Sequence, residues 1–438
     1  MKRISAWLLS CLAFLSLEAQ QRDPDTLPVV ATLEQCIQFA LKHQPLIAQA
    51  QLDEQITEAN IRGRLADWYP QIGASYTLQH NFQRQTSFFN GAAVPVGVAN
   101  TSTAQLSLSQ AIFNRDVLLA NRTQGDVRLQ TRQNTAARKI DIAAAVSKAF
   151  YDVLTTQQQI KVAAENILRL QRSLNDAYYR YQVGVTDKTD YKRAQITLNN
   201  TTAAKQANEA ALVAKVEYLK NLMGYPVTRQ LTVAYDSLQM ERDVVFDTLQ
   251  RPDFSQRIEY SQLVTQKRLQ EANLVYQRNS FLPTVSANAI YNLNYLDNSF
   301  GKLYGTNYPN SFVGITAGIP IFQGGKSKAN VRAAQLQLAR VDLDIINLEN
   351  AINSQYVTAL GNYKGALAAY RASKENVALA EEVYAVIQLQ YKAGVKTYLE
   401  VITSETDLRT AQINYFNALN QVLASKVDAE RALGTITF

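Results

Sequence analysis

One of the two hydrophobic patterns along this chain steps by three and four residues, as at Val341, Ile345 and Leu348. This spacing buries one stripe of a helix against a neighbouring helix. It predicts two very long helices, each followed by a turn at Gly and a return helix: about 114–182 with 187–223, and 325–392 with 396–433. A helix of roughly 70 residues is about 100 Å long, which suits spanning a distance better than filling a globular core.

The other pattern alternates apolar and small polar residues one by one. Ile72, Ala74 and Tyr76 fall on one face of such a segment, with Gly73 and Ser75 on the other. Four segments show it: 72–81, 103–109, 284–294 and 313–321. Their polar faces carry no charge, whereas the wet face of a soluble sheet more often carries Lys and Glu. The pattern favours barrel strands with lipid outside and water inside, and a soluble half-buried sheet is the alternative.

Four strands cannot close a barrel, and an open sheet edge is not tolerated in lipid. Several copies must therefore pool their strands. Two copies would give eight strands with a filled interior, whereas three would give twelve strands with room for a lumen. Closed symmetry then favours a homotrimer. The expected fold is an α+β membrane protein, mainly α, with four strands per chain in a trimeric 12-strand β-barrel and long antiparallel coiled-coil helices forming a periplasmic α-barrel.

The chain is a tandem duplication. Residues 181–185 recur as 391–395, which is 210 residues on, and the motif at Tyr69-Pro70 recurs at Leu282-Pro283. Each copy has the same order, beginning with a helix expected over 32–67 or 254–280. The predicted domains are a first repeat, a linker or equatorial segment, and a second repeat: 32–224, 225–252 and 253–438.

The N-terminus has the form of a secretory signal peptide. Lys2 and Arg3 precede an apolar run over 4–17 and a small-residue cleavage site near Ala19. A run of 14 residues is too short for an ordinary membrane-spanning helix. We therefore expect residues 1–20 to be removed, with an uncleaved anchor and lipidation of Cys11 as the alternatives.

Charge and candidate chemistry point away from catalysis. The formal net charge of +7 is spread among mixed signs, so nucleic-acid binding gains no support. His43 and His80 are the only histidines and stand apart from possible metal ligands. Gly324-Gly325-Lys326 resembles part of a phosphate loop, but Pro320 stands where that motif needs Gly. We expect no enzyme activity, no cofactor and no metal, and we expect Cys36 to be a core residue.

The duplicated order resembles the outer-membrane efflux protein family of the TolC type over nearly the whole mature chain. The residues that carry the resemblance are the strand starts at Tyr69-Pro70 and Leu282-Pro283, the strand ends at Phe113 and Phe322, the helix-tip motifs at 181–185 and 391–395, and the opening helix at 33–41. The resemblance implies an outer-membrane channel subunit of a tripartite efflux or type I secretion system. Its partners would be a periplasmic adaptor (membrane fusion) protein and an inner-membrane pump.

The resemblance also implies that the helix tips close the tunnel and receive the adaptor. The implied docking residues are Val183, Gly184, Val185, Ala393, Gly394 and Val395. The first of the family's two acidic gate positions falls on Glu400, whereas the second falls on Thr403, which is a departure. The family's polar latch falls on Thr189 and Asp190 of the first repeat and on Tyr391 and Lys396 of the second. The alternative is that these residues lie on solvated helix faces.

Two other functions remain open. A structural coiled-coil surface protein would explain the long helices, but not the signal peptide, alternating strands and duplication together. A porin without a pump partner would explain the strands but has no need of helices that reach across the periplasm.

Overall fold

The computed structural model of the chain describes residues 30–233 and 237–436. The expected signal peptide, 1–20, and Cys11 lie outside these residues. Within them the helices are α1 (Leu33–His43), α2 (Pro45–Ala66), α3 (Arg115–Gln182), α4 (Lys188–Met223), α5 (Ser237–Asp243), α6 (Ile258–Arg278), α7 (Lys326–Lys392) and α8 (Tyr398–Leu433). The strands are β1 (Gln71–His80), β2 (Thr86–Phe89), β3 (Ala92–Pro95), β4 (Asn100–Phe113), β5 (Thr284–Asp297) and β6 (Asn310–Gly318).

The two longest helices have the predicted positions and lengths. α3 has 68 residues and α7 has 67, so each is about 100 Å long at about 1.5 Å per residue. α3 packs along α4 and α7 along α8, and α3 also packs against α8. None of the helices within 30–233 and 237–436 is both long and apolar enough to cross a membrane.

The opening helix of the first repeat is broken, although a single helix was expected over 32–67. Pro45 has no N–H to continue the ladder, and it disfavours helical geometry at Gln44, where ψ is 121°. The side-chain amide of Gln44 donates to the carbonyls of Asn221 and Leu222 at 3.1 and 2.9 Å. The helix expected over 254–280 likewise begins and ends in 3₁₀ turns that flank α6.

The strands β1, β4, β5 and β6 form one antiparallel sheet in that order. The register aligns Ile72 with Leu108, Leu108 with Ala289, and Ala289 with Val313. The apolar positions of all four strands therefore share one face, as predicted. That face is exposed in the single chain: Ile72 is 71% and Val313 85% accessible.

Two strand expectations need correction. β6 covers 310–318 rather than 313–321, so Phe322 lies beyond the strand end; Pro320 cannot donate to a ladder, which limits the strand there. The segment 83–100, which separates the first two predicted strands, contains the β2–β3 hairpin, which was not predicted. Its turn is Asn90-Gly91, both at positive φ, and that dipeptide is a strong hairpin signal that could have predicted it.

The largest core cluster lies where α1, α3, α4, α7 and α8 meet the segment formed by residues 225–233 and 237–252. Cys36 is fully buried there, as predicted, and burial raises the pKa of its thiol to about 12. Val233 and Val244 of the segment belong to the same cluster. The Tyr363 hydroxyl donates to the Val244 carbonyl at 2.6 Å, so the segment packs on the helices.

Candidate gate at the helix tips

The turns between the paired helices have the same backbone geometry in both repeats. Gly184 and Gly394 have φ of +75° and +77°. The N–H of Val185 donates to the Arg180 carbonyl, and that of Val395 to the Gln390 carbonyl, both at 2.9 Å. Glycine adopts positive φ without the penalty that a Cβ brings, which explains why both turns contain it.

The residues that cap the return helices differ between the tips. The Asp187 carboxylate accepts from the Thr189 N–H at 3.2 Å. In the second repeat Thr397 and Glu400 form a reciprocal capping box, with the Thr397 N–H 2.9 Å from the Glu400 carboxylate. This box fixes both the start of α8 and the orientation of Glu400.

Glu400 also forms an ion pair within the same chain. The Lys396 ammonium lies 2.6 Å from its carboxylate. Hydrogen bonds from Lys396 and then from Thr397 hold the pKa of Glu400 at about 2, so this residue is ionised at any physiological pH. Thr403 lies exposed one turn further on, and its hydroxyl donates to the Leu399 carbonyl at 2.9 Å.

Each long helix and its return helix form a helical hairpin: α3–α4 is the first hairpin and α7–α8 is the second. Tyr391 lies between these two hairpins rather than on a solvated face. Its ring centre is 5.7 Å from that of Tyr398, and the Arg180 guanidinium lies 4.8 Å from its centroid. Its hydroxyl is enclosed without a hydrogen-bond partner. Burial raises the pKa of Tyr391, and the negative charge of half-buried Asp190 adds to the rise. Asp190 and Tyr391, two predicted latch residues, are therefore close enough to interact within one chain.

A small apolar cluster joins the two tips. Tyr398 is 3% exposed and packs with Ala177 of α3 and Ala194 of α4. Its hydroxyl lies 2.9 Å from the Ser173 hydroxyl. Sequence reasoning missed Tyr398 and Ser173. The duplication offered a signal, because Tyr398 stands where the first repeat has Lys188.

The predicted docking residues lie at the accessible ends of the hairpins. Val183, Val185 and Val395 are each about two-thirds to three-quarters exposed, and Gly184, Ala393 and Gly394 are exposed beside them. Exposed apolar residues grouped at one site mark interaction surfaces more often than scattered ones do. Within the described part of the chain, no group of three or more His, Cys, Asp or Glu side chains is arranged to hold a metal ion.

Together, the sheet and the hairpins define a duplicated, mainly helical protein of the channel-forming type, with a four-stranded sheet from which two long hairpins extend. The sequence matches the profile of the family described as Outer membrane efflux protein over residues 36–225 and 262–435. The chain therefore belongs to the outer membrane efflux protein family, and the resemblance inferred from its motifs is confirmed.

Individual relatives are distant but match along most of their length. Outer membrane protein TolC of Escherichia coli (strain K12) is 22% identical over 422 residues, which cover 92% of this chain and 82% of TolC. A crystal structure of CusC has a TM-score of 0.73 at 18% identity and covers 93% of both chains. VceC of Vibrio cholerae has a TM-score of 0.72 at 13% identity, covering 92% of this chain and 96% of VceC. These structures confirm the mainly helical fold with its few strands.

Proposed function

We propose that the chain is the outer-membrane channel subunit of a tripartite efflux or type I secretion system. It would act as a passive conduit from the periplasm to the outside, with energy supplied by an inner-membrane pump. The observation that carries the proposal is one chain with both a sheet whose apolar face is exposed and two hairpins about 100 Å long. A sheet facing lipid and helices reaching away from it suit a duct that continues beyond the membrane.

The free sheet edges support a homotrimer. β1 and β6 each have one unpaired edge in the described chain, and lipid does not tolerate such edges. Pairing β1 of one copy with β6 of the next closes a ring, and three copies supply twelve strands around a lumen. The exposed apolar face would then contact outer-membrane lipid.

The tips support a closed resting state with an adaptor as the opening partner. Asp190, Tyr391 and Tyr398 interact between the two hairpins, which favours a latch in this region. Lys396 is paired with Glu400 in the same chain, so it could reach Asp190 of a neighbouring copy only by leaving that pair. Glu400 would form a single acidic ring, since Thr403 carries no charge. Docking at 183–185 and 393–395 would part the hairpins.

Single-channel conductance in planar bilayers tests the conduit and the latch. Wild-type protein should show low conductance, which should rise when Asp190→Ala is combined with Lys396→Ala. The control is Glu382→Ala with Lys392→Ala, which removes the same charges from exposed positions. If the protein forms no channel, the proposal of a conduit is wrong, and the structural coiled-coil alternative is favoured. An open channel unchanged by the mutations would keep the conduit and refute the latch.

A photo-cross-linker at Val183 or Val395 tests the partner. A tripartite channel should give a cross-link to a periplasmic adaptor, identified by mass spectrometry, and the same probe at exposed Leu168 on the shaft of α3 should give less. A porin without a pump would give no adaptor product at either tip. The cargo belongs to the pump in this proposal, and the loops 83–100 and 297–310 carry no recognisable ligand motif.

A further inference from the structure

A buried polar cluster lies about 10 Å along α8 from its first residue, at about 1.5 Å per residue. Glu405 of α8 is 4% exposed and Asn166 of α3 is 1% exposed. Arg169 joins the cluster from α3, Arg409 from α8 and Tyr384 from α7. The cluster therefore lies where the two helical hairpins pack together, about one to two helical turns beyond the tip of α8.

Arg169 and Arg409 act on Glu405 through their charge, and each donates a hydrogen bond to another residue. Arg169 donates to the Asn166 side-chain carbonyl. Arg409 donates to the hydroxyl of buried Thr201 on α4 at 2.5 Å, which ties α8 to the first hairpin. These contacts do not require a charge on Glu405, so they can persist when its carboxyl is neutral.

Some of the enclosed polar atoms are not satisfied. Oε1 of Glu405, Nε of Arg169 and Nδ2 of Asn166 are all buried without a hydrogen-bond partner. A buried carboxylate that lacks full pairing is costly, and neutralising it removes much of that cost. An unsatisfied network of this kind can change its arrangement more readily than a complete one.

We propose that Glu405, buried near Arg169 and Arg409, is a proton-sensitive clasp that sets how tightly the two helical hairpins pack against each other. The neutral carboxyl fits the packed arrangement, and its ionised form favours parting of the hairpins, where water can reach it. Its role is that of a positioning residue for the aperture, and the link to channel opening rests on the function proposed above.

The charges that face Glu405 set the direction of the effect. Burial raises the pKa of Glu405 to about 7, while the charges of Arg169 on α3 and Arg409 on α8 oppose the rise. Tyr384 on α7 and Tyr398 on α8 also face it, and burial raises the pKa of both hydroxyls, so they stay neutral. From α4 the cluster includes Thr201, which accepts from Arg409 and does not titrate near neutrality. A carboxyl whose pKa is raised by packing stabilises the packed state when it is protonated. This stabilisation is fully present below the ordinary pKa of 4.5 and is lost as pH rises through about 7.

The first repeat provides an uncharged counterpart. Gln195 occupies the position 210 residues before Glu405, and Asn199 the position before Arg409. Gln195 is half-buried in α4. An amide at this position is therefore compatible with the helical hairpin, and Glu405→Gln is a conservative test of the charge.

The test uses the purified full-length protein with Cys11→Ser and with spin labels at Val183→Cys and Val395→Cys, since both positions are exposed and buried Cys36 is shielded from labelling. Distances between labels are measured from pH 5 to pH 9. The distribution should be narrow at low pH and broaden with a midpoint near pH 7. Glu405→Gln should keep it narrow throughout, and the control Asp407→Asn, at an exposed position of the same helix, should behave as wild type.

A charge variant adds a shift that a merely structural role would not produce. Arg169→Gln removes a charge that lowers the pKa of Glu405, so the midpoint should move up by about 1 pH unit, whereas Arg172→Gln at an exposed site should leave it in place. A broadening in Glu405→Gln with the wild-type midpoint, or none in wild type between pH 5 and pH 9, would overturn the clasp. Because distances are read without conduction, protein that forms no channel would defeat the proposed function and still test the clasp.

Discussion

The two helix tips share one backbone turn and differ in almost everything around it. Both turns use a glycine at φ near +76° and equivalent hydrogen bonds. The first tip, after α3, has exposed tyrosines, including Tyr179 at 65% accessibility. The second, before α8, directs Tyr391 and Tyr398 inward and binds Glu400 in a capping box. Duplication therefore preserved the turn, while the side chains of the second copy became the contact between the hairpins.

The difference assigns separate roles to the two tips. Tyr398 occupies the position of Lys188, and Glu405 that of Gln195. Both second-repeat residues are buried against the first hairpin. Substitutions in the second repeat should therefore loosen the joint between the hairpins, and matched substitutions in the first should not.

Tyr398→Ala should have the largest effect. It removes a buried aromatic ring together with its hydrogen bond to Ser173, and such truncations cost about 3–5 kcal/mol. The control Lys188→Ala, at the duplicated position, should change stability by less than about 0.5 kcal/mol. Urea titration of the detergent-solubilised protein, followed by helical circular dichroism, measures both. Equal losses of stability in the two variants would show that the second tip does not hold the hairpins together more strongly than the first.

The glycines at the far ends of α4 and α8 should come next and behave alike. An added Cβ would lie 2.6 Å from the His43 carbonyl oxygen at Gly224 and 2.8 Å from that of Gln256 at Gly434. Both also have positive φ. Gly224→Ala and Gly434→Ala should each cost about 2–5 kcal/mol from left-handed strain and overpacking. A tolerated substitution at either, in the same titration, would mean that the neighbouring backbone can move.

The sequence predicted elements that depend on local periodicity. The long helices and the shared apolar face of four strands followed from spacing alone, and both turns followed from Gly184 and Gly394. The β2–β3 hairpin was missed although Asn90-Gly91 signals it. The break at Gln44 was missed although Pro45 signals it; what the sequence does not show is that the Gln44 side chain then binds the distant carbonyls of Asn221 and Leu222.

The candidate gate was less predictable than the fold. Motif position indicated Asp190, Tyr391, Lys396 and Glu400, but the partner of each side chain depends on how the hairpins pack. Lys396 binds Glu400 four residues away, and a sequence can suggest that pair without excluding Asp190. The sequence does not indicate Glu405, because its burial results from the packing of α8 on α3, which is far away in the sequence.

The tip glycines should have smaller effects that are equal in the two repeats. Nothing lies within 4 Å of a Cβ built at Gly184 or Gly394. The cost of Gly184→Ala or Gly394→Ala is therefore backbone strain alone, about 1–2 kcal/mol. Thermal unfolding of the two variants side by side measures it. A much larger loss for Gly394→Ala would show that the inward packing of the second tip also constrains its turn.

The caps should give the smallest loss in stability and should differ in their acid response. Thr397→Ala and Asp187→Ala each remove one helix cap, which should lower stability by about 1 kcal/mol.

Hydrogen bonds from Lys396 and Thr397 keep the pKa of Glu400 at about 2, below its ordinary value. Ionised Glu400 therefore stabilises the folded second tip above pH 4.5, and this stabilisation is lost as pH falls through about 2. Glu400→Gln should remove this acid-sensitive step. Amide hydrogen exchange of α8 between pH 2 and pH 5, corrected for intrinsic exchange rates, would detect the step. An identical acid response in wild type and Glu400→Gln would show that the pair with Lys396 does not hold the second tip.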